Sequence, residues 1–190
     1  MGTFQRFSSP LMNKEMTEEL RLISPPEAHT DKEISALVNL ITSSYPPIET
    51  IVIGHGREIA SVEAAQVFAK HWEARGGGSN RGGVVLAVVS WPEEAASWLR
   101  PANRFTELKP DGWVVTGALL GWAQMSRRLR HSTGWDPRRT YGFASLADSR
   151  LIRCVGGETH EGMRGVWPDG NTWLIEDGQL ISYSSDMNKT

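Results

Sequence analysis

Two spacings of apolar residues alternate along this chain. Ile34, Leu37, Val38 and Ile41 recur at helical intervals. They follow Thr30-Asp31-Lys32-Glu33, a capping box in which the Thr hydroxyl and the Glu carboxylate satisfy amide donors that the first turn leaves open. That helix closes at Pro46-Pro47. Four strand-then-helix patterns come next. Residues 50–53 form a short apolar strand, and a helix from near Glu58 to Ala74 follows it. The spacing puts Ile59, Val62, Ala65, Ala69 and Trp72 on its inner face, with Glu63, Gln66, Lys70 and Glu73 outside. Gly76-Gly77-Gly78-Ser79-Asn80 reads as a flexible loop.

Val84–Val89 is apolar without alternation, the pattern of a strand covered by helices on both faces. Ser90-Trp91-Pro92-Glu93 has the composition of a helix start, with Ser as cap and Pro in the first turn, and Pro101 should halt that helix. Asp111-Gly112 turns into a third strand, Trp113–Val115, then a helix from about Leu119 to His131 and a fourth strand near Arg139–Phe143. Strands separated by helices of this length imply an α/β, three-layer, Rossmann-like fold with a mainly parallel sheet. Thr172–Ile175 and Gln179–Tyr183 flank Glu176-Asp177-Gly178, which predicts a C-terminal β-hairpin at about 172–183 on an edge or end of that sheet. Residues 1–29 carry no lasting period and read as a flexible or loosely docked arm; residues 30–190 read as a single α/β domain.

Composition narrows the partners. The 190 residues carry a formal charge of −2, which gives no electrostatic reason to expect nucleic acid or an anionic membrane. The cations Arg127, Arg128, Arg130 and His131 read as a solvated helix end of the sign that the helix dipole favours. No apolar run approaches the roughly 20 residues that span a bilayer, and the start lacks the roughly 7–15-residue apolar segment of a secretory signal, so the expected location is cytoplasmic. A single cysteine, Cys154, excludes an internal disulfide. Eight tryptophans are many for this length; they suit core packing, with one or two available to line a pocket.

Ligands of open parallel sheets sit beyond the carboxyl ends of the strands. The candidate ligand-binding residues are therefore Gly54, His55, Gly56 and Arg57 after the first strand, Ser90 and Trp91 after the second, Thr116 and Gly117 after the third, and Ala144 and Ser145 after the fourth. His55, between two glycines, has two readings: an acid, base or ligand contact, or part of a tight turn. Arg57 beside a helix start suits an anion. Ser90 lacks the Gly-x-Ser-x-Gly setting of a nucleophile. Cys154 can be paired with His55 as a dyad or read as buried packing. Glu158, His160 and Glu161 offer metal-capable groups or a solvated loop. No cofactor is indicated.

Three segments resemble one lobe of the type 1 periplasmic-binding-protein fold, shared by branched-chain amino-acid binding proteins. "EAAQVFAKHWEARGG" resembles its helix ending in Gly-Gly, and "KPDGWVVTGALLGWAQMSRRLRHSTGWDP" its aspartate-strand-glycine-helix element. "GFASLADSRLI…HEGMRGVWP" is similar to its strand, short helix and closing strand. The resemblance spans residues 50–166 and implies binding of a small polar ligand, often an amino acid, without chemistry. The family holds ligand in a cleft between two lobes, so one lobe alone implies a homo-oligomer or a partner protein. "IVIGHGREIASVEAAQVFAKHW" also looks like the opening of bacterial Toll/interleukin-receptor-like domains, whose NAD-hydrolysing members use a later glutamate; the corresponding "DPRRTYGFASLADS" has none. Sirohydrochlorin chelatases share the histidine-glycine after a first strand, but their second histidine has no match here.

The leading expectation is a non-enzymatic small-ligand-binding or regulatory domain, its ligand polar or anionic. The alternatives are a His55-dependent enzyme acting on a nucleotide or tetrapyrrole, and an interaction module using Trp135, Trp167 or the hairpin.

Overall fold

Thr30 and Glu33 act as the capping pattern predicts. In the computed structural model, which describes residues 12, 14–75 and 83–184, the Thr30 hydroxyl accepts the Glu33 amide at 3.1 Å and opens helix α2, Asp31–Thr42. The flexible loop expected at residues 76–80 lies outside the described residues. Strand β1 (Thr50–His55) feeds α3 (Ile59–Ala74), β2 (Val84–Ser90), α4 (Leu99–Thr106), β3 (Gly112–Thr116) and α5 (Leu119–Ser132). After β4 (Thr140–Gly142) come α6 (Ser149–Val155), β5 (Arg164–Val166), β6 (Thr172–Glu176) and β7 (Gln179–Tyr183).

These strands make one seven-stranded sheet in the order β2-β1-β3-β4-β5-β6-β7. The first five pair in parallel, and β6 and β7 are antiparallel. Asp177 and Gly178 take φ of 51° and 68°, the left-handed pair that a tight hairpin turn requires. The Glu161 carboxylate accepts both of their amides and holds that turn.

Apolar residues on both faces of the central strands explain the three layers. Ile51, Ile53 and Val114 pack with α2 and α3 on one side, around Phe68 and Trp72. Val52 and Val115 pack on the other with α4, α5 and α6, around Trp91, Trp98 and Trp122. Seven of the eight tryptophans are buried, so core packing accounts for most of them.

Four local expectations are corrected. In α3 the buried face is Ser61, Ala64, Ala65, Phe68 and Trp72, while Ile59 is 78% exposed. Phe68 decides this, because it stacks on Trp72 and meets Phe143 edge-on at about 6 Å. Strand β2 is an edge strand rather than one covered on both faces, and Val84 and Val88 are half exposed. No helix starts at Ser90; that residue ends β2, and the Ser97 hydroxyl instead accepts the Leu99 amide where α4 begins. Pro101 is the third residue of α4, where its missing N–H costs no helical bond, so it does not halt the helix. Within the segment read as an arm, Lys14–Arg21 forms helix α1, with Thr17 and Leu20 buried against α5 and α6.

Two predictions test this packing. Asp111 ties the starts of β1 and β3 together: its carboxylate accepts the Thr50 amide and hydroxyl and the Glu49 amide. Burial works to raise its pKa, but these bonds and nearby Arg139 outweigh it and hold the group below the usual carboxylate value. A depressed carboxyl contributes stability above its unfolded value of about 3.9, and that contribution is lost as pH falls through the folded value. Asp111→Asn should therefore lower urea-unfolding stability by about 1–3 kcal/mol at pH 7, with the gap to the unaltered protein shrinking below pH 4. Gly54 has no room for a side chain, since a Cβ there would sit 2.5 Å from the Trp91 ring and 2.6 Å from Phe105. Gly54→Ala should cost about 1–3 kcal/mol by overpacking, read as a fall in melting temperature.

Candidate functional site

The order of the strands places the chain reversal between β1 and β3, and the carboxyl ends of β1, β3 and β4 form the adjoining rim. At the reversal the Gly56 amide donates to the Thr116 carbonyl at 3.0 Å. Gly117 lies against the Gly56 backbone, with space for no more than a tight Cβ. His55, half-buried at the end of β1, donates from Nδ1 to the Gly56 carbonyl. The glycine-flanked histidine therefore shapes a turn. Arg57 is exposed, and Trp91 is fully buried between Phe105 and Trp122.

A cavity of about 340 Å³ opens one strand further along, over the ends of β3 and β4. Thr116, Ala144 and Ser145, all on the sequence-derived list, line its floor, joined by Phe143, Ala118 and Leu119. Glu33, Ala64, Trp167 and Pro168 line it as well, together with the continuous run of residues 23–30. Gly54, His55, Gly56, Arg57, Trp91 and Gly117 do not line this space. The structure thus brings Thr116 and Ser145 together and leaves the first-strand candidates beside the cavity.

Its polar groups are few and convergent. Glu33 is 4% exposed, and its carboxylate accepts the Ala144 amide at 2.7 Å. Burial pushes its carboxyl above the ordinary value, with the Ala144 and Thr30 amides and nearby His29 acting the other way. Two further polar atoms, Ser145 Oγ and His29 Nδ1, are buried without a hydrogen-bond partner. Groups of this kind carry a desolvation cost of about 1–3 kcal/mol until something pairs with them.

Glu33 and His29 were not among the sequence candidates. In the sequence Glu33 reads as a capping residue, and its partner Ala144 lies 111 positions away. Beside Gly56 the carboxyls of Glu58 and Glu93 form a pair that sequence reading does not single out. Burial, then the charge and hydrogen bond of Glu58 and the charge of Glu94, push the Glu93 carboxyl up.

The remaining sequence candidates are dispersed. Cys154 is buried in α6, and burial pushes its thiol up to about 11, with the charge of Glu19 adding to it and Arg127 opposing, so the reactive thiolate is scarce at neutral pH. His160 is fully buried, stacked on Trp122 at 5.7 Å and edge-on to Trp135. Glu161 is spent on the hairpin turn and Glu158 is exposed, so the three do not converge. Of the two tryptophans suggested as docking surfaces, Trp135 is buried, and Trp167 is half-buried with its Nε1–H on the Ser182 hydroxyl. Among the described residues no helix is long and apolar enough to cross a membrane.

No protein-family model matches the chain, and no curated protein matches it in sequence. Solved structures do match its architecture. A proposed branched-chain amino acid ABC transporter from Rhodospirillum rubrum superposes with a TM-score of 0.56 at 20% identity, over 72% of this chain and 37% of that one. A substrate-binding periplasmic protein from Ralstonia solanacearum gives 0.56 at 16% identity, over 79% and 39%. A type 1 periplasmic binding protein from Bordetella pertussis gives 0.51 at 15% identity, over 70% and 33%. The chain spans less than two-fifths of the length of each of these structures. The α/β architecture is therefore that of the type 1 periplasmic-binding-protein fold, as the sequence resemblance implied.

Proposed function

We propose that this chain binds a small polar molecule of the amino-acid class, without chemistry, in the cavity over the ends of β3 and β4. One observation carries the reading: Ser145 and His29, each with a buried polar atom that has no hydrogen-bond partner, and the buried Glu33 all line one 340 Å³ space. Glu33 suits an ammonium group. The hydroxyls of Ser145 and Thr116 suit a carboxylate or hydroxyl, and Phe143, Leu119 and Trp167 give an apolar side chain a place to pack. One solved structure of like fold is a proposed branched-chain amino acid ABC transporter, which supports testing that class first. A purely anionic ligand fits less well, because Arg57 is exposed away from the cavity and Glu33 faces into it. The His55-dependent enzyme reading has less support, since His55 bonds to its own turn and does not line the space.

Thermal unfolding against the twenty L-amino acids and small hydroxylated amines tests the proposal. A ligand at about 100 times its Kd should add roughly 2.7 kcal/mol of stability. Ser145→Ala and Glu33→Gln should each weaken that ligand by about tenfold or more, the loss of one charge-assisted bond. A shift that ignores both variants, or no shift from any compound, would remove the reading. A separate outcome follows from Glu33 alone. A carboxyl raised in the folded state makes the fold less stable as pH climbs from about 4.5 through the folded value. Urea midpoints of the ligand-free protein should therefore fall relative to those of Glu33→Gln across that range.

A further inference from the structure

Residues 23–30 are a strap of unusual construction. One end is fastened by α1: Thr17 and Leu20 are buried, Arg21 pairs with Glu94 at 3.3 Å, and Glu19 pairs with Arg153 at 3.0 Å. The other end is fastened at Thr30, which caps α2 and donates its hydroxyl to the Pro168 carbonyl at 2.6 Å. Between these anchors the chain is held weakly. Pro25 and Pro26 have no amide to donate, and no backbone hydrogen bond is made by residues 24–29 among the described residues. Ser24, Pro25, Glu27 and Ala28 are exposed. Segments with exposed backbone and few buried contacts open at low free-energy cost while their anchors stay in place.

All eight strap residues line the strand-end cavity. With the strap in this position His29 Nδ1 and Ser145 Oγ, on residues that line that space, are buried with no hydrogen-bond partner for either. A roof that desolvates polar atoms without pairing them is costly when the space beneath is empty, and that cost is removed when a polar guest supplies the partners. We propose that residues 23–30 are a lid, fixed at both ends, that lifts to admit a small molecule to the cavity and closes over it. This rests on reading the cavity as the ligand site. Lifting need not disturb the sheet, because both anchors lie outside residues 24–29. The apparent affinity would then be the intrinsic one multiplied by the fraction of empty molecules whose lid is open.

Thiol labelling measures lid opening without any ligand. Ser145→Cys puts a thiol in the roofed space, and the native Cys154, buried with a pKa pushed up to about 11, sets a low background that the unaltered protein reports. With an aromatic disulfide reagent, the introduced thiol should react slowly in the native strap. Adding Pro25→Gly and Pro26→Gly should speed it several-fold, up to about tenfold, the ceiling when a closed state holding about nine-tenths of the population is loosened. Equal rates with and without the glycines, in proteins with matching circular dichroism, would overturn the lid. Amide exchange on the unaltered protein is the second measurement. Ser24, Glu27, Ala28 and His29 should exchange at close to unstructured rates, and protection equal to that of α2 would overturn the proposal. Neither readout uses an amino acid, so a lid that passes while no compound stabilises the protein would count against the amino-acid reading alone.

Discussion

The sheet is apolar on both faces, and that constraint governs the rest of the molecule. Ile51 and Ile53 face one layer and Val52 the other; Val114 and Val115 divide in the same way. A strand of this kind cannot leave either face to water, so helices must cover both. Once they do, the sheet offers polar chemistry chiefly at its rims, where strands end and backbone amides emerge. The cavity over β3 and β4 lies at such a rim, and its polar groups come from there: Thr116, Ser145, and the Glu33 carboxylate on the Ala144 amide.

Large rings set the spacing of the layers and thereby decide what the glycines do. Trp91 meets Phe105 and Trp122, and Trp122 meets Trp135 and His160, in a run of aromatic contacts about 6 Å apart. Gly54 lets that packing reach the sheet, since a Cβ there would meet the Trp91 and Phe105 rings. Trp91 itself, which the rim position of its sequence neighbours made a candidate wall, is fully buried in that packing. A residue that follows a strand in sequence can point inward as readily as outward, and in Trp91 the apolar ring settled the direction.

Local chemistry made much of this fold legible. Thr30–Glu33 marked a helix start, Asp177-Gly178 marked the hairpin, and the alternation of strands with helices marked the three layers, because each is written in residues close together in sequence. Lateral position in the sheet is not local, and so Val84–Val89 read as a covered strand when it lies at an edge. Helix α1 escaped notice because its contacts with α5 and α6 come from distant sequence and its described buried residues are few, Thr17 and Leu20 among them. At the site, Thr116 and Ser145 followed from the architecture. Glu33 and His29 did not, since they reach the rim from elements that precede the sheet in sequence.

Two groups of unpartnered buried polar atoms contrast here, and the setting decides their meaning. Trp91 Nε1, Trp122 Nε1 and both ring nitrogens of His160 belong to the run of packed rings. There burial pushes the His160 imidazole down to about 3, which keeps it neutral, and stacking on Trp122 offsets part of the lost hydration. That is a cost borne by a tight core. Ser145 Oγ and His29 Nδ1 instead belong to residues that line a space large enough for a guest. The same desolvation at that rim is recoverable by binding, whereas the cost around His160 is not. Burial and lack of a partner are common to both groups. The neighbouring cavity is what separates a candidate site from a strained interior.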